Sequence, residues 1–240
     1  MAIVIPRPAA TVVVARELAG KSFDVLMVRR HDNVAFMGGA YVFPGGRVDD
    51  QDRIVAEAKA RPHDSVSRFS DLTPDRELVY RAAAARELEE EADLRVEMSD
   101  LIPFAHWVTP EIETKRYDTR FFLIAMPPGQ EPRHDDHETT ELQWLSPAAA
   151  IERSLAGELM LPPPTWTTLK QLARFNTVAD AFAWARTTRI VTIQPAFFRD
   201  EHRMMLTLPG DPTYPPIEGW EIPEDTRFLL RDGRWRPVPV

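Results

Sequence analysis

Arg86-Glu87-Leu88-Glu89-Glu90-Glu91-Ala92-Asp93 is the segment on which the reading of the whole chain turns. Upstream of it, Thr73-Pro74 supplies an N-cap hydroxyl and a proline suited to the first helical position, so a helix is predicted from there to about Ala92. At ~100° per residue, with Glu87 as origin, Glu90 lies about 60° to one side and Glu91 about 40° to the other, while Glu89 points nearly backwards. Leu78, Ala85, Leu88 and Ala92 fall on a different arc, expected to face the core. Three carboxylates therefore share one face beside a separate apolar stripe.

Most charge runs are solvated helix faces. Here, however, Glu87 and Glu91 stand at i,i+4, where like charges cost roughly a few tenths of a kcal/mol. No Lys or Arg lies three or four residues beyond Glu87 or Glu90, and acids near a helix C-terminus oppose the dipole. Local costs of this kind are consistent with a site. Clustered hard oxygen ligands suit Mg²⁺ or Mn²⁺, especially when substrate phosphates complete the octahedron. Zinc prefers His and Cys.

Working outward, Phe43-Pro44-Gly45-Gly46-Arg47-Val48-Asp49 ends a strand in two glycines, which permit close approach of backbone to a ligand or a neighbouring helix. By itself Pro-Gly-Gly is a simple turn. Ala10–Ala15 and Phe23–Arg30 read as a strand hairpin, and further strands are predicted near Leu101–Val108, Arg120–Ala125 and Leu142–Leu145. Residues 50–72 are polar and read as an insertion containing a helix from Asp52 to Ala60. Ser146-Pro147 repeats the cap logic of Thr73-Pro74, and two more helices are expected over Thr165–Phe175 and Val178–Arg186. The tail, rich in proline and scattered aromatics, allows only short strands. This alternation predicts an α/β (α+β) fold with helices against a mixed sheet.

Composition narrows the function classes. The chain has 240 residues, 29 Lys and Arg against 37 Asp and Glu, a formal charge of −8 and no cysteine. Disulfides, thiolate nucleophiles and Cys-ligated zinc are thereby excluded. The acid excess argues against a nucleic-acid partner bound through a basic footprint. No apolar run approaches the ~18–20 residues that span a bilayer, and the N-terminus does not read as a secretory signal; a cytoplasmic location is the expectation.

Together the segments resemble the Nudix hydrolase signature, G-x5-E-x7-R-E-U-x-E-E-x-G-U with U aliphatic. Gly46 matches its leading glycine, Arg86-Glu87-Leu88-Glu89-Glu90-Glu91 matches R-E-U-x-E-E in full, and Leu94 fits the last aliphatic position. Three features depart. About two dozen residues interrupt the box between Gly46 and Arg86; the position of its first Glu is Leu78, with Glu77 one place off; and the closing glycine is Asp93. Val42-Phe43-Pro44-Gly45-Gly46, Trp107-Val108-Thr109-Pro110-Glu111 and Lys115–Phe122 are similar to the coenzyme A diphosphatase-like Nudix proteins with a split box.

The resemblance implies a Nudix-type α/β/α sandwich over 1–175, with the box insertion at about 50–72 and a C-terminal extension, 176–240, packed on it. It implies water-driven hydrolysis of a diphosphate linked to a nucleoside, with coenzyme A or acyl-CoA as the best single substrate. The alternatives are other Nudix pyrophosphohydrolases (acting on nucleoside triphosphates, dinucleotides or nucleotide sugars) and a non-catalytic, metabolite-sensing Nudix module. Glu87, Glu90 and Glu91 would hold Mg²⁺ or Mn²⁺, and Arg86 would orient them. Glu138, six residues before Trp144, would serve as a further ligand or general base, with Glu141 a weaker substitute. Gly45, Gly46, Arg47, Arg30 and Arg116 are the expected substrate-binding residues, and Arg120 is a further candidate to face the substrate. A homodimer is compatible with the resemblance. The surrounding His134-Asp135-Asp136-His137 lacks metal-site spacing and reads as a polar loop. Phe197, Phe198, Trp220 and Trp235 are expected to pack either on the domain or on a second copy.

Overall fold

Ala9–Ala15 is a run of small and β-branched apolar residues, nearly all fully buried, and it forms the middle of the strand Arg7–Leu18 (β1). Such a run suits a strand covered on both faces. β1 pairs antiparallel with Ser22–Arg30 (β2), as the expected hairpin requires, and parallel with Tyr117–Ala125 (β6). The computed structural model describes residues 4–19, 22–32, 37–59, 66–134, 139–199, 203–218, 220 and 225–240.

Among the described residues, the remaining strands of this mixed sheet are Tyr41–Val42 (β3), Gly45–Arg47 (β4), Ile102–Val108 (β5), Thr139–Leu145 (β7) and Thr192–Ile193 (β8). Their order is β3-β2-β1-β6-β5-β8, with β4 paired to β1 and β7 to β2. The helices are Asp50–Lys59 (α1), Pro74–Ala92 (α2), Pro147–Leu155 (α3), Pro163–Leu172 (α4) and Val178–Thr187 (α5). β6 begins at Tyr117 rather than Arg120, because its parallel partner in β1 extends the ladder back to Arg7.

Successive side chains of a strand point to opposite faces, and the core divides accordingly. Val12, Val14, Leu26, Phe122 and Ile124 pack against Tyr80, Ala84, Leu88 and Ala92 of α2. Val13, Val25, Met27, Phe121 and Leu123 pack with Trp166, Leu169, Ala181 and Ala185 from α4 and α5. The result is the expected sandwich. The buried ridge of α2 is the i,i+4 series Tyr80–Ala84–Leu88–Ala92, with Leu78 and Ala85 only half-buried beside it. At ~25 cal/mol per Å² of apolar surface, a fully buried leucine such as Leu88 contributes roughly 2 kcal/mol.

The tail forms a sheet of its own, Ala196–Arg199 (β9), Met204–Thr207 (β10), Arg227–Arg231 (β11) and Arg234–Pro237 (β12), in the order β12-β11-β10-β9. Leu206, Leu208 and Phe228 join the second core cluster, with Trp220 and Trp235 packed against it. The tail aromatics Trp220 and Trp235 therefore lie on this chain's own core. No helix among the described residues is long and apolar enough to cross a membrane.

Both ends of α2 follow from sequence. Thr73 Oγ1 accepts from the Arg76 N–H at 3.4 Å. At the other end Asp93, where the Nudix signature has glycine, takes the left-handed conformation (φ 53°, ψ 34°) and its N–H bonds back to the Glu89 carbonyl. Aspartate tolerates that conformation, so the turn is kept despite the exchange, although a side chain there is strained and its charge opposes the dipole. Asp93→Gly is expected to stabilise the protein by about 0.5–1 kcal/mol, a rise of about 2 °C in the thermal midpoint. A midpoint that stays level or falls would show that the turn is not strained.

Candidate active site

β4 brings the two glycines against the C-terminal half of α2. Gly45, Gly46 and Arg47 pair with Thr11, Ala10 and Ala9 of β1. The Gly45 N–H donates to Glu91 Oε2 at 2.8 Å. A Cβ on Gly46 would overlap the Glu87 carboxylate, and one on Gly45 would overlap the Ala10 carbonyl and Thr11. Each glycine is thus required by close approach, Gly45 to backbone and Gly46 to a carboxylate.

Arg86 organises the acids. Its Nη1 donates to Glu87 Oε1 at 2.9 Å and to Glu90 Oε2 at 2.8 Å, and its Nη2 donates to the Arg47 carbonyl at 2.8 Å. Asp52 receives the other edge of the guanidinium, Nε to Oδ1 and Nη2 to Oδ2, both at 3.0 Å. These hydrogen bonds to Asp52, ahead of the nearby Glu87 and Glu90 charges, raise the Arg86 pKa further above its usual range. The like-charge repulsion anticipated for the helix is therefore offset by a cation that precedes the acids. Glu87 and Glu91 are buried, whereas Glu90 is largely exposed. Glu89 points away and pairs with Arg95 at 2.8 Å, as the helical angles require.

Asp52 is 1% exposed and lies on α1, within the stretch read as an insertion. That stretch packs α1 along α2 and so delivers the clamp on Arg86. Glu77, the near-miss for the first glutamate of the box, is committed elsewhere. It accepts from Arg81 Nη2 and Ser67 Oγ at 2.6 Å each, and from the Arg68 N–H at 3.1 Å.

A cavity of about 710 Å³ gathers Arg30, Gly45, Gly46, Arg47, Arg86, Glu87, Glu90 and Glu91. Arg30 Nε is buried there without a hydrogen-bond partner among the described residues. The structure does not bring Arg116 to this cavity. Its guanidinium donates to the Thr109 and Val4 carbonyls and to Gln194, bracing the approach to β6. Arg120 also differs from expectation. It is 1% exposed on the α2 face of the sheet, paired with Asp71 at 2.6 Å. Glu138 and its neighbours 135–137 lie outside the described residues. Glu141 is held by the Tyr41 hydroxyl at 2.7 Å and by Gln143. These bonds, Tyr41 first, lower its pKa, while burial and the same carboxylate push Tyr41 up to about 12.

Two groups could hold a cation. Asp71, His106 and Asp118 each place one ligand atom within 4.8 Å of the others. There the Arg120 guanidinium already reaches both carboxylates, at 2.6 Å and 3.2 Å, and stacks over Phe69 and Tyr80. This group lies on the sheet face opposite the cavity, since Thr119 and Phe121 line the cavity and alternate with Asp118 and Arg120. Among the described residues Glu87, Glu90 and Glu91 are not gathered so tightly, each carboxylate being turned to a protein partner. Theirs is nonetheless the all-oxygen donor set that a hard divalent ion takes, and it opens on a cavity.

A family model described as the NUDT19 Nudix domain matches residues 55–172. The acyl-coenzyme A diphosphatase NUDT19 of Xenopus laevis is 22% identical over 80% of this chain and 72% of its own length. The human protein of the same name is 24% identical over 87% and 76% respectively. Among solved structures, a Nudix hydrolase from Alicyclobacillus acidocaldarius superposes with a TM-score of 0.65 at 27% identity, covering 76% of this chain and 97% of that one. Fold, signature and relatives agree: the chain is similar to the Nudix hydrolases and, among them, to the coenzyme A diphosphatases.

Proposed function

We propose that this Nudix pyrophosphatase hydrolyses the diphosphate of coenzyme A or an acyl-coenzyme A with Mg²⁺ or Mn²⁺. The observation that carries this is the meeting of Glu87, Glu90, Glu91, Gly45 and Gly46 at one side of a cavity that also holds arginines. The named relatives support the substrate.

Glu87, Glu90 and Glu91 would hold the divalent ion, with Glu138 as a further ligand or the base. When bound, the ion neutralises charge on the phosphoryl oxygens and lowers the pKa of a bound water. Arg86, fixed by Asp52, presents Glu87 and Glu90 in a set orientation. Arg30 and Arg47 offer positive charge to the diphosphate. Water adds to one phosphorus, the bridging P–O bond breaks, and two phosphomonoesters leave.

The non-catalytic alternative rests on the first half of the box, where Leu78 stands in place of the first glutamate; against it stands the complete set Glu87, Glu90 and Glu91.

The test is incubation with Mg²⁺ or Mn²⁺ and a panel of coenzyme A, NADH, ADP-ribose, ADP-glucose and deoxynucleoside triphosphates, with products resolved by chromatography. Coenzyme A is expected to yield adenosine bisphosphate and phosphopantetheine, and only when metal is added. Preferred turnover of another member of the panel refutes the substrate. Turnover in the presence of a chelator refutes the metal requirement.

A further inference from the structure

The cavity has two chemistries. Arginines, glutamates and glycines form the side built by β4 and α2, whereas Trp107, Phe121, Pro195, Leu206 and Trp235 line it elsewhere, with Thr109, Glu113, Tyr117 and Thr119 at the β5–β6 end. In the sheet, β1 and β6 separate β4 from β5. Three strand spacings of ~4.8 Å place the glycine loop about 14 Å from the β5 strand that carries Trp107. A volume of about 710 Å³ falls in the range of ~300–1,000 Å³ that encloses a whole small ligand. A diphosphate and its metal would fill only the charged side.

Pro195, Leu206 and Trp235 all come from the tail. Leu206 sits in the β10 ladder opposite Phe197 and Phe228, and Trp235 packs edge-on against Phe197 at 6.2 Å. The tail sheet is tied to the helices behind the cavity. Trp166 Nε1 and Lys170 Nζ meet Asp225 at 3.0 Å and 3.5 Å, and Arg234 donates to the Gly157 carbonyl at 2.7 Å. The apolar side is therefore a wall packed on the core, and among the described residues the tail contributes no charged side chain to it.

Resting on the coenzyme A reading above, we propose that the C-terminal sheet is the specificity element of this enzyme. Trp235, Leu206 and Pro195, facing Trp107 and Phe121, form a compartment for the acyl chain of an acyl-coenzyme A whose diphosphate lies at the glutamate helix. Such a wall favours a hydrocarbon over a sugar or a second nucleotide, which would lose hydration there without replacement hydrogen bonds.

The experiment measures kcat/KM of the full chain for free, acetyl-, hexanoyl- and decanoyl-coenzyme A, and for ADP-ribose. The wild type is expected to prefer the longer chains. Trp235→Ala is expected to cut the decanoyl-to-free ratio about tenfold, and Trp235→Phe to restore most of it. Should Trp235→Ala lose its fold by circular dichroism, Trp235→Leu carries the same test, with about a threefold fall expected. Cleavage of coenzyme A with a ratio unchanged in these variants overturns the compartment while leaving the coenzyme A reading intact. Cleavage of ADP-ribose but of no coenzyme A overturns both.

Discussion

Glu91→Gln is expected to lower kcat by about two to three orders of magnitude, the range found when one preorganised charge-stabilising group is removed from an active site. Glutamine has nearly the shape of glutamate, and its carbonyl can still accept the Gly45 N–H that Glu91 Oε2 now receives at 2.8 Å. The loop geometry should survive, so the change removes one negative charge and little else. Glu90→Gln, on the same face, is expected to act alike. Stability should not suffer, because Glu87 and Glu91 repel one another at i,i+4 by roughly a few tenths of a kcal/mol. Glu89→Gln is the internal comparison: its carboxylate is exposed and paired with Arg95 at 2.8 Å, away from the cavity. The measurement is kcat at saturating metal and coenzyme A, with the thermal midpoint recorded alongside. Near-wild-type rates for Glu90→Gln and Glu91→Gln would sink the assignment of this face as the metal site.

The parts of the site legible in sequence are those encoded over short distances. Thr73-Pro74 marks where α2 begins, and helical spacing places Glu87, Glu90 and Glu91 together with Glu89 opposed. The middle of β1 is legible because a strand segment covered on both faces must be apolar. What escaped depends on contacts between distant segments. Asp52 lies 34 residues before Arg86 on an otherwise polar helix, and nothing in its local pattern separates it from a solvated acid. Its one available signal was the need of a permanently charged, half-buried arginine for a planar, bidentate partner. The placement of Arg116 and Arg120 is hidden from the sequence for a related reason. Residues near a strand's start can point to either face, and only distant partners decide it: the Thr109 and Val4 carbonyls and Gln194 for Arg116, and Asp71 for Arg120. The tail sheet was least legible, since its four short strands are specified mainly by pairing with each other and by the core cluster they cover.

Gly46→Ala tests how tightly the loop and the glutamates are matched. The added methyl would overlap the Glu87 carboxylate, and both partners are held in place. Gly46 is held opposite Ala10 in the antiparallel ladder, with the Val48 N–H bonded to the Pro8 carbonyl just beyond. Glu87 is buried and bonded to Arg86, which Asp52 fixes in turn. The carboxylate is a side-chain terminus, however, and can rotate away, whereas backbone cannot. The expected result is therefore a folded protein, destabilised by about 1–3 kcal/mol as overpacking commonly costs, whose kcat falls about 100-fold because a misplacement of ~1 Å is enough for that loss. Gly45→Ala should behave differently, since its methyl would meet the Ala10 carbonyl and the Thr11 backbone of the central strand. There the ladder itself must part, and the loss should appear in the thermal midpoint and in soluble yield rather than in kcat alone. Measuring kcat and midpoint for both variants separates the two roles. A Gly46→Ala protein with wild-type kcat would mean that Glu87 does not need its present position, and the signature's leading glycine would then be only a turn residue.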